Sequence, residues 1–453
     1  MGDFTHTDFP LIAIADIEGL VAGLKHTPSW RDDAEPSAVA AWILRGWTFL
    51  VGHPEQLDQH LADPDAPASH ATRLATVWAR LTRDLAAAAD RFQAPLRPAI
   101  PLIIKILWLT SAAARLDHPN FRAFNLCSVQ ALSNLNTSNP ASIAHTWPLL
   151  VHCEPRESIL LRLLYTTNNR LCLVIGVLIL NCVHQDPGRI ESLMGSCVGK
   201  QAMTMLLERM DGLLDDETAE VFDVIVTLVR EIVRVDPGTH VSKLYESQAT
   251  PSQVLSPAQL AVLKVLETSP VLPPSSFLIA QFHRLAARLD QAWQGFVLVC
   301  ETLVAWITHA VAAPAAEDSV SDTEVEALVQ VSIRILKELS EQRAHLRRST
   351  GTPDDQGSAD KRRSMNQLMI GVIKLLTNLI ELKTSVTAAS NGAVKIQDAV
   401  RTLDGFPLIL NATQFDVDFP YLREHAIVLL KYLLKDNPTN QLIIQNLQPL
   451  PPP

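Results

Sequence analysis

Apolar residues recur along this chain at spacings of three and four, the mark of helices that bury one side. Phe222, Ile225, Val226, Val229, Ile232 and Val233 follow that spacing, and so do Val325, Leu328, Val331, Ile333, Ile335 and Leu336. These runs predict helices over 222–235 and 325–339. Strict apolar–polar alternation, the sign of a half-buried strand, is nearly absent, and Asp211-Gly212 and Asn391-Gly392 stand between helical runs rather than alternating ones.

Stops with a physical cause separate the helical runs. Asn139-Pro140, Asp186-Pro187-Gly188, Asp236-Pro237-Gly238 and Asn437-Pro438 each interrupt a helix, because proline cannot continue one and the residue before it avoids helical torsions. A helix over 121–139 ends in Ser-Asn-Pro, and one over 170–185 repeats that plan and ends in Asp-Pro-Gly. The unit length is roughly 50 residues, near that of an armadillo or HEAT repeat. Helices over 364–382 and 421–435 repeat the plan again. A helix that is apolar on much of its circumference is covered only when repeats stack. The predicted fold is all-α: an armadillo/HEAT-like, right-handed helical solenoid.

The expected organisation is degenerate repeats over 1–270, further repeats over 271–348, a polar loop over 349–363, a C-terminal repeat domain over 364–448 and a Pro-rich tail over 449–453. The break at 270 rests on Pro270, Pro273 and Pro274. The loop, STGTPDDQGSAD, is polar and is flanked by Arg347-Arg348-Ser349 and Arg362-Arg363-Ser364. Ser349 and Ser364 are therefore candidate phosphorylation sites for basic-directed kinases, set against the plainer reading of solvated charge at helix ends.

Composition narrows the function. Hydrophobic residues make up 47% and charged residues 19% of the 453-residue chain, ample for a packed interior. Acids outnumber bases 48 to 38, which argues against nucleic acid as a partner, since a phosphate-binding surface needs clustered Lys and Arg. The six cysteines show no paired metal spacing and no disulfide framework, which points to a reducing compartment. Residues 1–10 lack the form of a secretory signal. The most apolar stretch, 171–183, is shorter than the roughly 20 residues a bilayer span needs, so no membrane span and a cytoplasmic location are expected.

No H-E-x-x-H, phosphate-binding loop or dinucleotide fingerprint occurs. Gly195-Ser196-Cys197-Val198-Gly199 has its serine one place off the nucleophile elbow. His145 and His152 lie near Cys153, with Pro148 expected to break the helix between them. No catalytic, cofactor-binding or metal-ligating residue is assigned, and no cofactor is expected.

The C-terminal stretch carries a resemblance. Asp404-Gly405-Phe406-Pro407-Leu408-Ile409-Leu410 leads into Phe419-Pro420-Tyr421-Leu422-Arg423-Glu424-His425-Ala426-Ile427, and Asp436-Asn437-Pro438-Thr439-Asn440-Gln441 follows. The pattern resembles the C-terminal domain of the ataxin-10 family. Phe419 and His425 depart from it, standing where the family usually has Asn and Trp. The resemblance implies a cytoplasmic armadillo-like protein that acts through partner proteins in cytokinesis or signalling; some fungal members are labelled as copper transport proteins. Its motif residues Pro407, Pro420, Arg423, Glu424, Asn437, Asn440 and Gln441 become the candidate interaction residues.

Local physics gives the same segment a structural reading. Pro420 fits the first helical turn, Asp418 is placed to cap it, and Leu422, Ala426, Ile427, Leu430, Leu433 and Leu434 predict one apolar stripe. Arg423 and Glu424 fall off that stripe and are expected to pair with neighbouring repeats, while His425 packs. The leading functional expectation is a non-catalytic scaffold or adaptor, a homo-oligomer being compatible with it. The alternatives are a metal (copper) homeostasis factor or enzyme with a site assembled from dispersed residues, and a regulator of small GTPases or trafficking.

Overall fold

The computed structural model describes residues 35–57, 70–88, 90–210, 219–236, 238–312, 320–349, 356–386, 391–414 and 420–446. They form helices, with no strand among them, in the arrangement of a helical solenoid. The chain divides into two compact units, Met1–Val235 and Asp236–Pro453.

The first unit contains α1 (Pro36–Gly52), α2 (His70–Ala88), α3 (Asp90–Leu96), α4 (Ala99–Thr110), α5 (Ala113–Leu116) and α6 (Pro119–Asn136). It continues with α7 (Pro140–Val151), α8 (Ile159–Leu164), α9 (Asn169–Val183), α10 (Pro187–Gly195), α11 (Cys197–Met210) and α12 (Ala219–Val235). The long helices stack in sequence, α2 on α6, α6 on α9 and α9 on α12. A second row runs beside them, α4 on α8 and α8 on α11.

α9 shows why stacking is required. Leu171, Cys172, Ile175, Leu178, Ile179, Cys182 and Val183 are all buried, more than one neighbour could cover. Burying each large aliphatic side chain contributes roughly 1.5–3 kcal/mol. Gly176 lets α12 approach, since a Cβ there would stand 2.6 Å from Val224 Cγ1.

One device joins consecutive repeats. α6 and α9 are followed by Ser138 and Gln185 in the left-handed region, at φ 54° and 56°. Asn139 and Asp186 then cap the next helix, accepting from the Ser142 and Arg189 amides at 3.0 and 2.9 Å. Pro140 and Pro187 occupy the first turn, where no amide is needed. Asp436, at φ 55°, and the Asn437 cap repeat the device before Pro438. After α12 the position belongs to Val235, whose branched Cβ resists positive φ, and it is not among the residues in that region. Asp236 accepts from the Gly238 and Thr239 amides, each at 3.0 Å, just ahead of the next helix.

The second unit contains α13 (Thr239–Ser247), α14 (Pro257–Glu267), α15 (Ser275–Ala286), α16 (Leu289–Ala312) and α17 (Asp322–Ser349). After them come α18 (Gln356–Val386), α19 (Gly392–Thr402), α20 (Gly405–Ala412), α21 (Pro420–Leu434) and α22 (Pro438–Gln445). α18 is its centre, packing on α16, α17, α19 and α21. The proline-rich link near residue 270 lies inside this unit rather than at its border. The helices on either side of it, α14 and α15, both pack on α16.

Several expectations change. α18 starts at Gln356, so helix takes over much of the loop expected at 349–363. Gln356, Ala359, Lys361, Arg362 and Arg363 favour helix and outnumber the weaker formers Gly357, Ser358 and Asp360. Residues 350–355 lie outside the described residues, as do residues 1–10, Asp418 and the tail at 449–453. Pro148 does not end a helix, because α7 runs through it to Val151. In α17, Val331 is half-buried while Val329 and Ser332 are buried, and in α12 Phe222 is half-buried while Leu228 is buried. Both helices meet partners on more than one side, which widens the buried arc.

Among the described residues α16 is the single helix long and apolar enough to cross a membrane; α3 and α4 pass only as a pair, bent by 71°. α16 packs on α15 and α18, with Phe296, Val299, Cys300, Leu303 and Ile307 buried, as a core helix does. The stretch at 171–183 lies in the shorter α9.

Candidate protein-interaction surface

Three helices of the second unit present polar rows at helical spacing. α16 carries Glu301 and Thr308; α18 carries Lys374, Asn378 and Glu381; α21 carries His425 and Tyr432. Positions i, i+4 and i+7 share one helix side, so each set forms a line. The lines of α16 and α18 are joined crosswise, and α21 packs against α18 beside them. Lys374 Nζ lies 3.3 and 3.4 Å from the two carboxylate oxygens of Glu301. Thr308 Oγ1 donates to Asn378 Oδ1 at 3.3 Å, and Asn378 Nδ2 donates back to Lys374 O at 2.9 Å.

The rows also set the local electrostatics. Burial holds the His425 imidazole below its ordinary value, and the Lys374 ammonium pushes the same way against Glu424 and Glu301. His425 is thus a half-buried residue whose surroundings disfavour its charged form. Burial raises the Tyr432 phenol, and Glu381 adds to the rise.

Beside these rows stand apolar side chains without cover. Tyr421 is 66% exposed and Val428 44%, one at each end of an i, i+7 pair on α21. Ile427 and Leu442 are also exposed. The buried stripe of α21 is Leu422, Ala426, Leu429 and Leu433, with Leu430 and Leu434 half-buried. The sequence reading put Ile427 on the stripe and left Leu429 off it. The helix is rotated by about one position from that expectation, because α18 and α20 meet it on adjacent sides.

The motif residues separate into two groups. Asn437 and Asn440 are buried and join α22 to α19: Asn437 Nδ2 donates to Gln397 Oε1 and Asp398 Oδ1, each at 3.1 Å. Asn440 Nδ2 donates to Leu433 O at 2.9 Å, and its Oδ1 accepts from Arg401 at 2.8 Å. These two asparagines are internal fasteners. Gln441 is exposed and donates to Leu434 O at 2.8 Å. Pro407 is exposed on α20, and Pro420 opens α21. Arg423 and Glu424 are exposed and form no ion pair among the described residues. Their side chains reach solvent because the neighbouring helices cover the opposite side of α21.

The remaining chemistry is sparse. No group of three or more His, Cys, Asp or Glu suited to a metal ion occurs among the described residues. His152 Nε2 lies 2.7 Å from Ser192 Oγ, but His152 is exposed and no carboxylate orients its other nitrogen among the described residues. Ser196 caps α11, accepting from Gly199 N at 2.9 Å, and a Cβ at Gly199 would collide with the Leu193 carbonyl. Capping by Ser196 and close packing at Gly199 thus account for two members of the glycine–serine pattern. The six cysteines are free thiols, four of them buried. Burial pushes the Cys182 thiol up to about 12, far from a reactive thiolate.

The sequence reading missed Glu301, Lys374 and Asn378. Their only trace was polar residues at helical spacing inside apolar runs.

Residues 378–451 match the family described as the spinocerebellar ataxia type 10 protein domain. A protein named Ataxin-10 homolog from Candida albicans is 38% identical over 72 residues, 16% of this chain and 15% of the relative. Proteins of the same name from Saccharomyces cerevisiae and Dictyostelium discoideum are 37% and 40% identical over 70 and 52 residues, 12% and 8% of their lengths. The alignments therefore span less than a sixth of these relatives, and the match begins on α18, within the joined rows.

Proposed function

We propose that this chain, an ataxin-10 family member through its C-terminal domain, is a non-catalytic scaffold that holds partner proteins on the joined face of α16, α18 and α21. The observation that carries the reading is the exposure of Tyr421 and Val428 beside the polar rows, on a helix whose opposite side is buried. Exposed aromatic and aliphatic side chains ringed by polar groups are the usual make-up of a protein-binding patch. An amphipathic helix could lay its apolar side on Tyr421 and Val428 and its polar edge along Lys374 and Glu381.

The reading extends to a cytoplasmic adaptor in cytokinesis or signalling, which rests on the family resemblance. The face supplies side chains for recognition and no nucleophile–base pair in a cavity, which favours binding over turnover. The test is affinity capture of the tagged full chain from its own cells beside a Tyr421→Ala/Val428→Glu variant, with folding verified by circular dichroism. Recovery of defined proteins by the wild type and their loss from the folded variant supports the reading. Equal recovery by both, or turnover of a substrate by the purified chain, overturns it.

A further inference from the structure

A cavity of about 650 Å³ opens where α15, α16, α17 and α18 meet, and Ser364 lines it together with Asp290, Arg334 and Glu338. Its apolar wall includes Trp293 and Leu368. Arg334 is committed at this site: its guanidinium is 3.0 Å from Glu338 Oε1 and 3.4 Å from the Ala286 carbonyl. Ser364 is half-exposed on α18 and directly follows Arg362 and Arg363.

We propose that Ser364 is a phosphorylation site for a basic-directed protein kinase and that the added phosphate loosens the start of α18 from α16 and α17. The kinase passes the γ-phosphoryl group of ATP to the Ser364 oxygen. A bond forms between that oxygen and phosphorus, the bond from phosphorus to the bridging oxygen of ADP breaks, and the hydroxyl proton goes to the kinase's base. The two arginines before the serine supply the charge that such kinases read.

Access and consequence both follow from the local chemistry. Residues 356–363 contain no large apolar residue, and the first buried anchor of α18 is Met365. A helix end without apolar anchors opens locally at small free-energy cost, which presents Ser364 in extended form. Once modified, the serine carries about −1.5 to −2 charges. The groups lining the cavity with it are two carboxylates, Asp290 and Glu338, and a single cation, Arg334, which already neutralises Glu338. A dianion placed there faces two carboxylates on α16 and α17 with Arg334 alone opposing them, while Arg362 and Arg363 lie on α18 itself and cannot tie it to its neighbours, so the first turns of α18 leave their seat beside Trp293 and Leu368. Their departure uncovers that wall, some distance along α18 from the face built on Lys374.

The test treats the folded full chain with the catalytic subunit of a cyclic-nucleotide-dependent protein kinase and magnesium ATP. Phosphopeptide mapping and hydrogen exchange follow, beside Ser364→Ala and Glu338→Gln chains. The expected result is phosphate on Ser364, absent from Ser364→Ala, with exchange at residues 362–368 accelerated about tenfold. The acceleration shrinks in Glu338→Gln, where one repelling charge is gone. Modification that occurs only after denaturation, or none at Ser364, overturns the site. Phosphate on Ser364 with exchange unchanged or slowed overturns the loosening, because Arg334 would then have turned from Glu338 to the phosphate.

Discussion

Asn437 Nδ2 lies 3.1 Å from Gln397 Oε1, forty positions earlier, while Asn437 Oδ1 accepts the Asn440 amide at 3.0 Å. One side chain thus starts α22 and ties it to α19. Asn437→Ala removes the cap and leaves the buried Gln397 oxygen without this donor. The expected loss is roughly 1–3 kcal/mol of unfolding free energy, read by urea denaturation. An unchanged midpoint would mean that the tie contributes nothing.

Gly405 follows Asp404, which sits at φ 57°, and opens α20 in a confined space. A Cβ there would stand 2.8 Å from Ile333 Cδ1 and 2.9 Å from the Val400 carbonyl oxygen. The backbone atom cannot rotate away as a side chain can. Gly405→Ala is therefore expected to cost roughly 1–3 kcal/mol through overpacking, measured as a lower thermal midpoint.

Glu231 predicts a pH dependence in the first unit. The Arg234 guanidinium, hydrogen-bonded to Glu231 at 2.8 and 3.1 Å, holds its carboxyl below the usual glutamate range. The Gln185 amide, 2.7 Å away, adds to the effect. A carboxyl whose folded value is depressed gives stability that is present above its unfolded value of about 4.3 and is lost as pH falls through the folded value. Glu231→Gln should lower stability at pH 7 by roughly 1.5–3 kcal/mol. Its further loss between about pH 4.3 and pH 2 should be smaller than the wild type's, as measured by denaturant titration at each pH.

The boundaries between repeats were legible because their causes are local. Asn139-Pro140, Asp186-Pro187 and Asn437-Pro438 announce a helix start within four residues, and each caps as its sequence suggests. The face itself was not legible. Glu301 and Lys374 meet across 73 positions, and no pattern within either helix names the other as partner. The start of α18 was hidden for a different reason: residues 356–363 lack the apolar spacing that marks a helix, yet their propensity lets the helix extend over them. Pro148 shows the converse, a strong stop signal overridden where α7 packs on α6, α8 and α11.

The family motif divides for the same reason. Asn437 and Asn440 are polar residues whose fate depends on α19, some forty positions away, and they are buried. Arg423 and Glu424 look equally suited to internal pairing and instead face solvent.

The central claim is that the α16–α18–α21 face binds a partner protein. The most direct measurement is calorimetric titration of a purified captured partner against the wild-type chain and the Lys374→Glu, Tyr421→Ala and Val428→Glu variants. Tyr421 and Val428 are exposed, so their substitution should change fold stability little, whereas Lys374→Glu also exchanges the ion pair with Glu301 for repulsion and its folding is checked by thermal unfolding. The account predicts affinity weakened at least about tenfold in Tyr421→Ala and Val428→Glu, and by a lesser amount in Lys374→Glu. Unchanged affinity in all three folded variants would contradict it.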